Sequence, residues 1–402
     1  MTAGMHDLRK PLESTGKTLS TVVSAIALLC TLVLSVQAFA SPRDEARRIH
    51  DRLAGVPPSA ATLDQMEGLV RNGDAIGAAY IAMENRAFYD VTLKNWAAPW
   101  TNREEDVFVP LNDYIATVIG MVRDDVPFNQ LLSADIIYVG RDGLQGVPAF
   151  SMTSNAHYEA LENRNINLME NLVQRPQSAM TDLPPEATAG VMTTRAAAEA
   201  FFIAGTNRAM LRFTLMAHMC RDLEQVADTS LSPDWIRQDV SRSPGGDSRL
   251  FLNNCVSCHT GMDPLAGAYA YYDWDESARR IVYSPGQVRS KYFNNADTFP
   301  QGFVTTDASW ANYWREGQNA LLGWDPGRPG QGYGAKSMGE ELANSEAFAQ
   351  CQVEKVFQTV CLRPPSDAAD RQQVSSMVTS FRGGNYRMRQ VFAEAAAYCR
   401  AD

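Results

Sequence analysis

The sequence predicts a mainly α fold, with a helical N-terminal domain, a helical C-terminal domain and long ordered loops. Three observations carry this. Leu111, Tyr114, Ile115, Val118, Ile119 and Val122 recur at the three-and-four spacing of one helix face, after Pro110 at a helix start. The C-terminal end holds three more stripes: Val353, Val356, Phe357 and Val360; Val374, Met377, Val378 and Phe381; Met388, Val391, Phe392 and Ala395. Pro364 with Pro365, and Gly383 with Gly384, fall between these stripes, where helices stop.

In chain order, Arg9, Lys10 and Lys17 precede an apolar run from Val22 to Val36, followed by Ala38, Phe39 and Ala40. A basic start, a short apolar stretch and a small-aromatic-small ending read as a signal peptide over residues 1–40. The run is short for a membrane span, and an uncleaved N-terminal membrane anchor is the alternative. Cys30 and His6 would leave with the leader. The expected location is periplasmic or otherwise exported.

The next segment, 41–180, reads as a helical N-terminal domain of unassigned role. Leu63, Met66, Leu69 and Val70 form one helical stripe and Ile76, Tyr80, Met83 and Ala87 another, broken at Gly73. Residues 136–139 suit a strand, residues 140–155 a loop, and residues 158–174 a polar helix. A linker from Arg175 to Ala189, with Pro176, Pro184 and Pro185, is the expected boundary to a second domain over 189–402. There, 194–204 and 208–223 read as helices, and Ser243 to Gly246 as a turn. From Trp274 to Gly334 periodicity fades, yet Tyr292, Phe293, Trp310, Tyr313, Trp314 and Trp324 supply the aromatic mass of an ordered loop.

The formal net charge is −10 over 402 residues, which disfavours nucleic-acid phosphates. The sequence contains no H-E-x-x-H or P-loop motif, and no Ser-His-Asp arrangement is evident. Beyond the leader remain Cys220, Cys255, Cys258, Cys351, Cys361 and Cys399.

Asn254 to Thr260 contain the chemistry-bearing pattern, Cys255-Val-Ser-Cys258-His259. Thiols three apart share one face of a helical turn, so both can reach the vinyl groups along one porphyrin edge, and the adjoining imidazole can ligate iron. Shuffling this composition yields the pattern with a probability of roughly 0.0015, so chance is a poor explanation. A redox dithiol lacks its βαβ context, and zinc lacks a fourth ligand nearby. The expected cofactor is one covalent haem c with its iron, bound through Cys255, Cys258 and the proximal ligand His259. The C-terminal domain is then cytochrome c-like. If the haem takes these two thiols, Cys220, Cys351, Cys361 and Cys399 remain for disulfides or buried thiols, and sequence leaves their pairing open.

The distal iron ligand is sought among Met and His. Met262 is too near His259 in sequence to reach the opposite face. Met338, in a Gly-rich segment entering a helix, is the first choice and Met192 the second. His218 reads as a core residue; His50 and His157 read as surface residues.

The stretch from Cys255 to Asp273, CVSCHTGMDPLAGAYAYYD, resembles the haem-binding module of the large planctomycete-type cytochrome c proteins, in which C-x-x-C-H runs into Asp-Pro-Leu-Gly and an aromatic-Asp ending. Met262, Asp263, Pro264, Leu265 and Asp273 fit that pattern. Upstream, residues 189–193 with Thr206, Asn207 and Arg208 look like the preceding module of that family, and residues 344–361 resemble its small C-terminal module, with Phe348 and Cys351 in place. The resemblance implies an exported, mostly helical haem protein over about half of the chain. Ala266 replaces the family glycine, Cys361 stands where a Gly-Arg pair is usual, and the second haem motif of longer members is absent, which excludes a relay between two haems.

The expected function is therefore a monohaem c-type cytochrome that passes single electrons to or from a periplasmic redox protein or a membrane redox complex, with no nucleic acid as partner. Two alternatives stand beside it, a haem enzyme with an open sixth iron site and a binding protein with a structural haem. An electron carrier is favoured over a catalyst.

Overall fold

Short polar residues set where the helices begin. In a computed structural model that describes residues 40–202, 207–237, 248–292 and 301–401, α1 (Pro42–Ala54) is followed by α2 (Ala60–Arg71), α3 (Ala75–Met83) and α4 (Asp113–Arg123). The side chains of Ser59, Asp74 and Asn112 accept from the amides of Thr62, Gly77 and Ile115, satisfying donors left over at the first turns of α2, α3 and α4. Next come α5 (Ala156–Asn163), α6 (Arg195–Phe201), α7 (Arg208–Met219), α8 (Ser248–Asn254) and α9 (Val256–Ala266). The chain closes with α10 (Gly334–Ala343), α11 (Glu346–Cys361), α12 (Ala368–Gly383) and α13 (Met388–Tyr398). Thr194, Ser345 and Asp367 cap α6, α11 and α12 in the same way. The fold is mainly α, as the stripes predict.

Strands occur only as antiparallel pairs among the described residues. β1 (Ile137–Gly140) pairs with β2 (Leu172–Arg175), Ile137 opposite Arg175. β3 (Tyr272–Asp275) pairs with β4 (Arg280–Tyr283), Tyr272 opposite Tyr283, and β5 (Ser309–Ala311) pairs with β6 (Gln331–Tyr333). The described residues of the low-periodicity stretch after Trp274 thus form ribbons, tight turns and short 3-10 helices, with Tyr292, Trp310 and Trp314 buried.

Helices α1, α2 and α3 pack together, α1 and α3 also pack against α13, and α11 packs between α7 and the α12–α13 pair. Helix α4 lies inside, buried from Asp113 through Val122. Disulfides hold this arrangement at two points: Cys220–Cys351 joins the end of α7 to α11, and Cys361–Cys399 joins the end of α11 to the end of α13. No described helix is long and apolar enough to cross a membrane.

Several expectations are corrected. The expected linker from Arg175 to Ala189 ends in buried residues, Ala187, Thr188 and Ala189, and lies within the compact unit 42–400. The polar helix expected over 158–174 breaks at Arg164, and its end becomes β2, because Leu172 pairs with Gly140 in the β1 ladder. Helix α3 turns Ala75, Ala78, Ala79, Ala82 and Met83 inward, leaving Ile76 and Tyr80 at its margin. His50 and His157 are buried rather than at the surface. His50 Nδ1 bonds the Val56 carbonyl, while His157 accepts from the Gly140 amide through Nε2 and meets the Pro148 carbonyl through Nδ1. His218 is in the core as expected, its Nε2 2.5 Å from the Tyr114 hydroxyl. The leader through residue 39, Cys30, Thr206, the turn at Ser243 to Gly246 and Phe293 lie outside the described residues.

Lys355 on α11 places its ammonium 4.4 Å from the centre of the Trp100 ring and donates to the Ala217 carbonyl. Burial pushes this amine down to about 7, against the opposing pull of Glu105. Between that value and the ordinary lysine range the unfolded chain holds a proton that the folded chain has released, so stability rises with pH through this window; below it both states are protonated and the gain is absent. Lys355→Met is expected to flatten the rise, read as urea midpoints at neutral and mildly alkaline pH. An unaltered slope would place its origin elsewhere.

Candidate haem-attachment site

The motif sits where α8 hands over to α9. The Cys255 amide donates to the Phe251 carbonyl, and the amides of Cys258 and His259 both donate to the Cys255 carbonyl, at 3.2 Å each, so the two thiols and the imidazole occupy one turn. Both cysteines are half-buried thiols outside any disulfide. The Cys258 thiol lies 3.6 Å from the Leu223 carbonyl, and partial burial pushes it up from its ordinary value.

Three contacts pin this turn. The Asp228 amide donates to the Ser257 carbonyl at 2.8 Å, and the Thr260 hydroxyl donates back to the Asp228 carbonyl at 2.9 Å. On the buried side Gly261 lies under Trp314: a Cβ there would stand 1.9 Å from the indole Nε1, so only glycine lets the ring lie this close. Pro264 follows inside α9 and leaves the Thr260 carbonyl without its usual helical donor.

His259 is oriented from two directions. The Phe251 ring meets it edge-on, with centroids 4.9 Å apart. Its Nδ1 lies 3.1 Å from Oδ1 of Asp263, one helical turn further on. The Asp263 side chain has no solvent exposure. It receives both Nε and Nη2 of Arg208, at 2.7 Å each, and lies 3.7 Å from Nη2 of Arg237, which is itself buried. Burial alone would raise the Asp263 carboxyl, but Arg208, His259 and Arg237 together hold it well below the usual carboxylate range. With Nδ1 engaged, Nε2 is the ring nitrogen that has no protein partner among the described residues.

Asn207, next to Arg208, adopts a left-handed backbone (φ 56°), which asparagine tolerates, and donates to the carbonyls of Tyr269 and Tyr272. The start of α7 therefore grips both ends of the site: Asn207 holds the chain beyond α9, and Arg208 holds Asp263 within it.

Met338, on α10, is fully buried in the main core; Met192, in the turn Gly190–Thr193, is buried in the same core with its sulfur 3.1 Å from the Tyr269 hydroxyl. The apolar residues beside Cys255 form a separate small cluster of Ile236 and Phe251. Among the described residues no three His, Cys, Asp or Glu side chains converge to hold a bare metal ion. Sequence reasoning singled out Cys255, Cys258 and His259 but missed the link from His259 to Asp263, for which the four-residue spacing within one helix was the available signal. It also gave no indication that Arg237 approaches Asp263.

Comparison of the chain with protein-family models, curated proteins and solved structures gives no match.

Gly261→Ala is expected to cost about 1–3 kcal/mol of stability, because the Trp314 ring is enclosed and has to shift. Chemical denaturation followed by tryptophan fluorescence checks this; a loss well under that range would mean that the ring moves freely.

Proposed function

We propose that the chain is an exported monohaem c-type cytochrome that passes single electrons to or from a periplasmic redox protein or a membrane redox complex. One observation carries the reading. Of the cysteines after residue 40, Cys220, Cys351, Cys361 and Cys399 close two disulfides, while Cys255 and Cys258 remain thiols on one turn beside His259. Disulfides suit an oxidising compartment, and there a spared thiol pair calls for another use. The similarity to planctomycete-type cytochrome c modules points the same way.

The donor set fits the cofactor. Cys255 and Cys258 would hold the haem through thioethers, and His259 would ligate its iron through Nε2. Bound haem supplies reversible one-electron chemistry at a potential set by its ligands and surroundings. The chain's own residues do the remainder. Phe251 and Asp263 fix the imidazole plane, Asp228 and Thr260 hold the thiol-bearing turn, and Trp314 closes the interior side.

Met338 is retained as the distal ligand of this reading. A haem enzyme with an open sixth site is the second reading. It is favoured by the burial of Met338 and Met192 within the main core, apart from the cluster beside Cys255.

Protein matured with a haem-attachment system is expected to show a haem adduct on the peptide spanning Cys255 to His259 by mass spectrometry. Cys255→Ala and Cys258→Ala should each weaken retention of the pigment, and complete extraction of pigment from the unaltered protein by acid-acetone would refute the proposal. Met338→Ala should alter the oxidised absorption spectrum; an unchanged spectrum would transfer support to the open-site reading.

A further inference from the structure

We propose that Asp263 is the positioning residue of His259, and that the Asp263–Arg208–Arg237 cluster sets the reduction potential of the haem. This rests on the haem reading above and deepens it.

The argument begins with hydrogen-bond chemistry. An ionised carboxylate only accepts, so an imidazole nitrogen 3.1 Å from Oδ1 of Asp263 has to carry the proton. In the neutral ring that fixes the tautomer: Nδ1 carries the proton and Nε2 presents its lone pair. The fold thus holds the neutral ring in the tautomer that a metal needs, before anything binds. A carboxylate behind a ligating histidine also makes the ligand more basic, which favours the oxidised metal and lowers the potential.

Asp263 does not act alone. Oδ1, the oxygen facing His259, is also 2.7 Å from Nε of Arg208 and 3.7 Å from Nη2 of Arg237. Arg208 competes with the imidazole for the lone pairs of Oδ1, and the two guanidinium groups bring two positive charges against one negative charge. Because the Asp263 side chain is fully enclosed, water does little to screen this competition. The cluster therefore works as a graded device: Asp263 pushes charge toward the ring, and Arg208 restrains how much arrives. Arg208 comes from α7 and Arg237 from the segment after it, so three separate stretches of chain meet at one carboxylate.

Two substitutions predict shifts of opposite sign. Asp263→Asn removes the negative charge and should raise the midpoint potential. Arg208→Gln removes a positive charge and frees Oδ1 for His259, so it should lower the potential. The measurement is a spectroscopic redox titration of the holoprotein, with haem content taken from the adduct mass. A purely structural role for the cluster would not produce ordered, opposite shifts in haem-loaded protein. Shifts of the same sign, or none, overturn the inference while leaving the haem reading intact; absence of haem from the unaltered protein defeats the haem reading itself. If Asp263→Asn fails to accumulate, Arg208→Gln alone decides by the sign of its shift. If neither accumulates with haem, the nitrogen-15 resonances of His259 in the unaltered protein decide, and lack of a proton on Nδ1 overturns the inference.

Discussion

A buried carboxylate organises the centre of this molecule. Asp263 is shielded from water, and an enclosed negative charge is tolerated only when it is well paired. Here the pairing is supplied by the first residue of α7 and by Arg237, so satisfying one side chain on α9 dictates where two other parts of the chain must lie. The first turn of α9 inherits that precision. Cys255, Cys258 and His259 are placed by a helix whose far end is fixed by ionic contacts and whose inner face is fixed by the Gly261–Trp314 approach.

Neighbouring features reinforce the same region from outside. The loop through Asp228 is bonded to the thiol-bearing turn in both directions, and Asn207 anchors the tyrosines that follow α9. Helix α7, which carries Arg208 at its start, is tied at its end to α11 by the Cys220–Cys351 disulfide. The helix that orients the site is thereby fastened to the C-terminal helices at one end and to the site at the other.

Much of the helical framework was legible in the sequence, because α4 and the C-terminal helices bury large aliphatic and aromatic residues at regular spacing. Legibility failed where small or polar residues do the packing. The inward face of α3 is mostly alanine, which a search for bulky stripes assigns to the wrong side. His50 and His157 sit in polar sequence surroundings, yet both ring nitrogens of His157 find backbone partners that only the fold brings near. At the site, the C-x-x-C-H pattern is local and therefore readable, whereas Arg208 lies 55 positions from Asp263 and nothing in its neighbourhood announces the pairing. Disulfide connectivity was unreadable for the same reason, with Cys220 and Cys351 separated by 131 positions.

The way the two ends of the compact unit meet bears on how the fold closes. Helix α1 packs against α13, Arg48 and Arg52 donate to the carbonyls of Arg400 and Cys399, and Arg400 pairs with Glu45. Helix α1 is covered in part by its sequence neighbours α2 and α3, and α13 completes that packing from the far end of the compact unit. Closing so long a loop is slow compared with forming the local helix pairs. A fold closed in this way is expected to finish joining its two ends after its local helix pairs have formed.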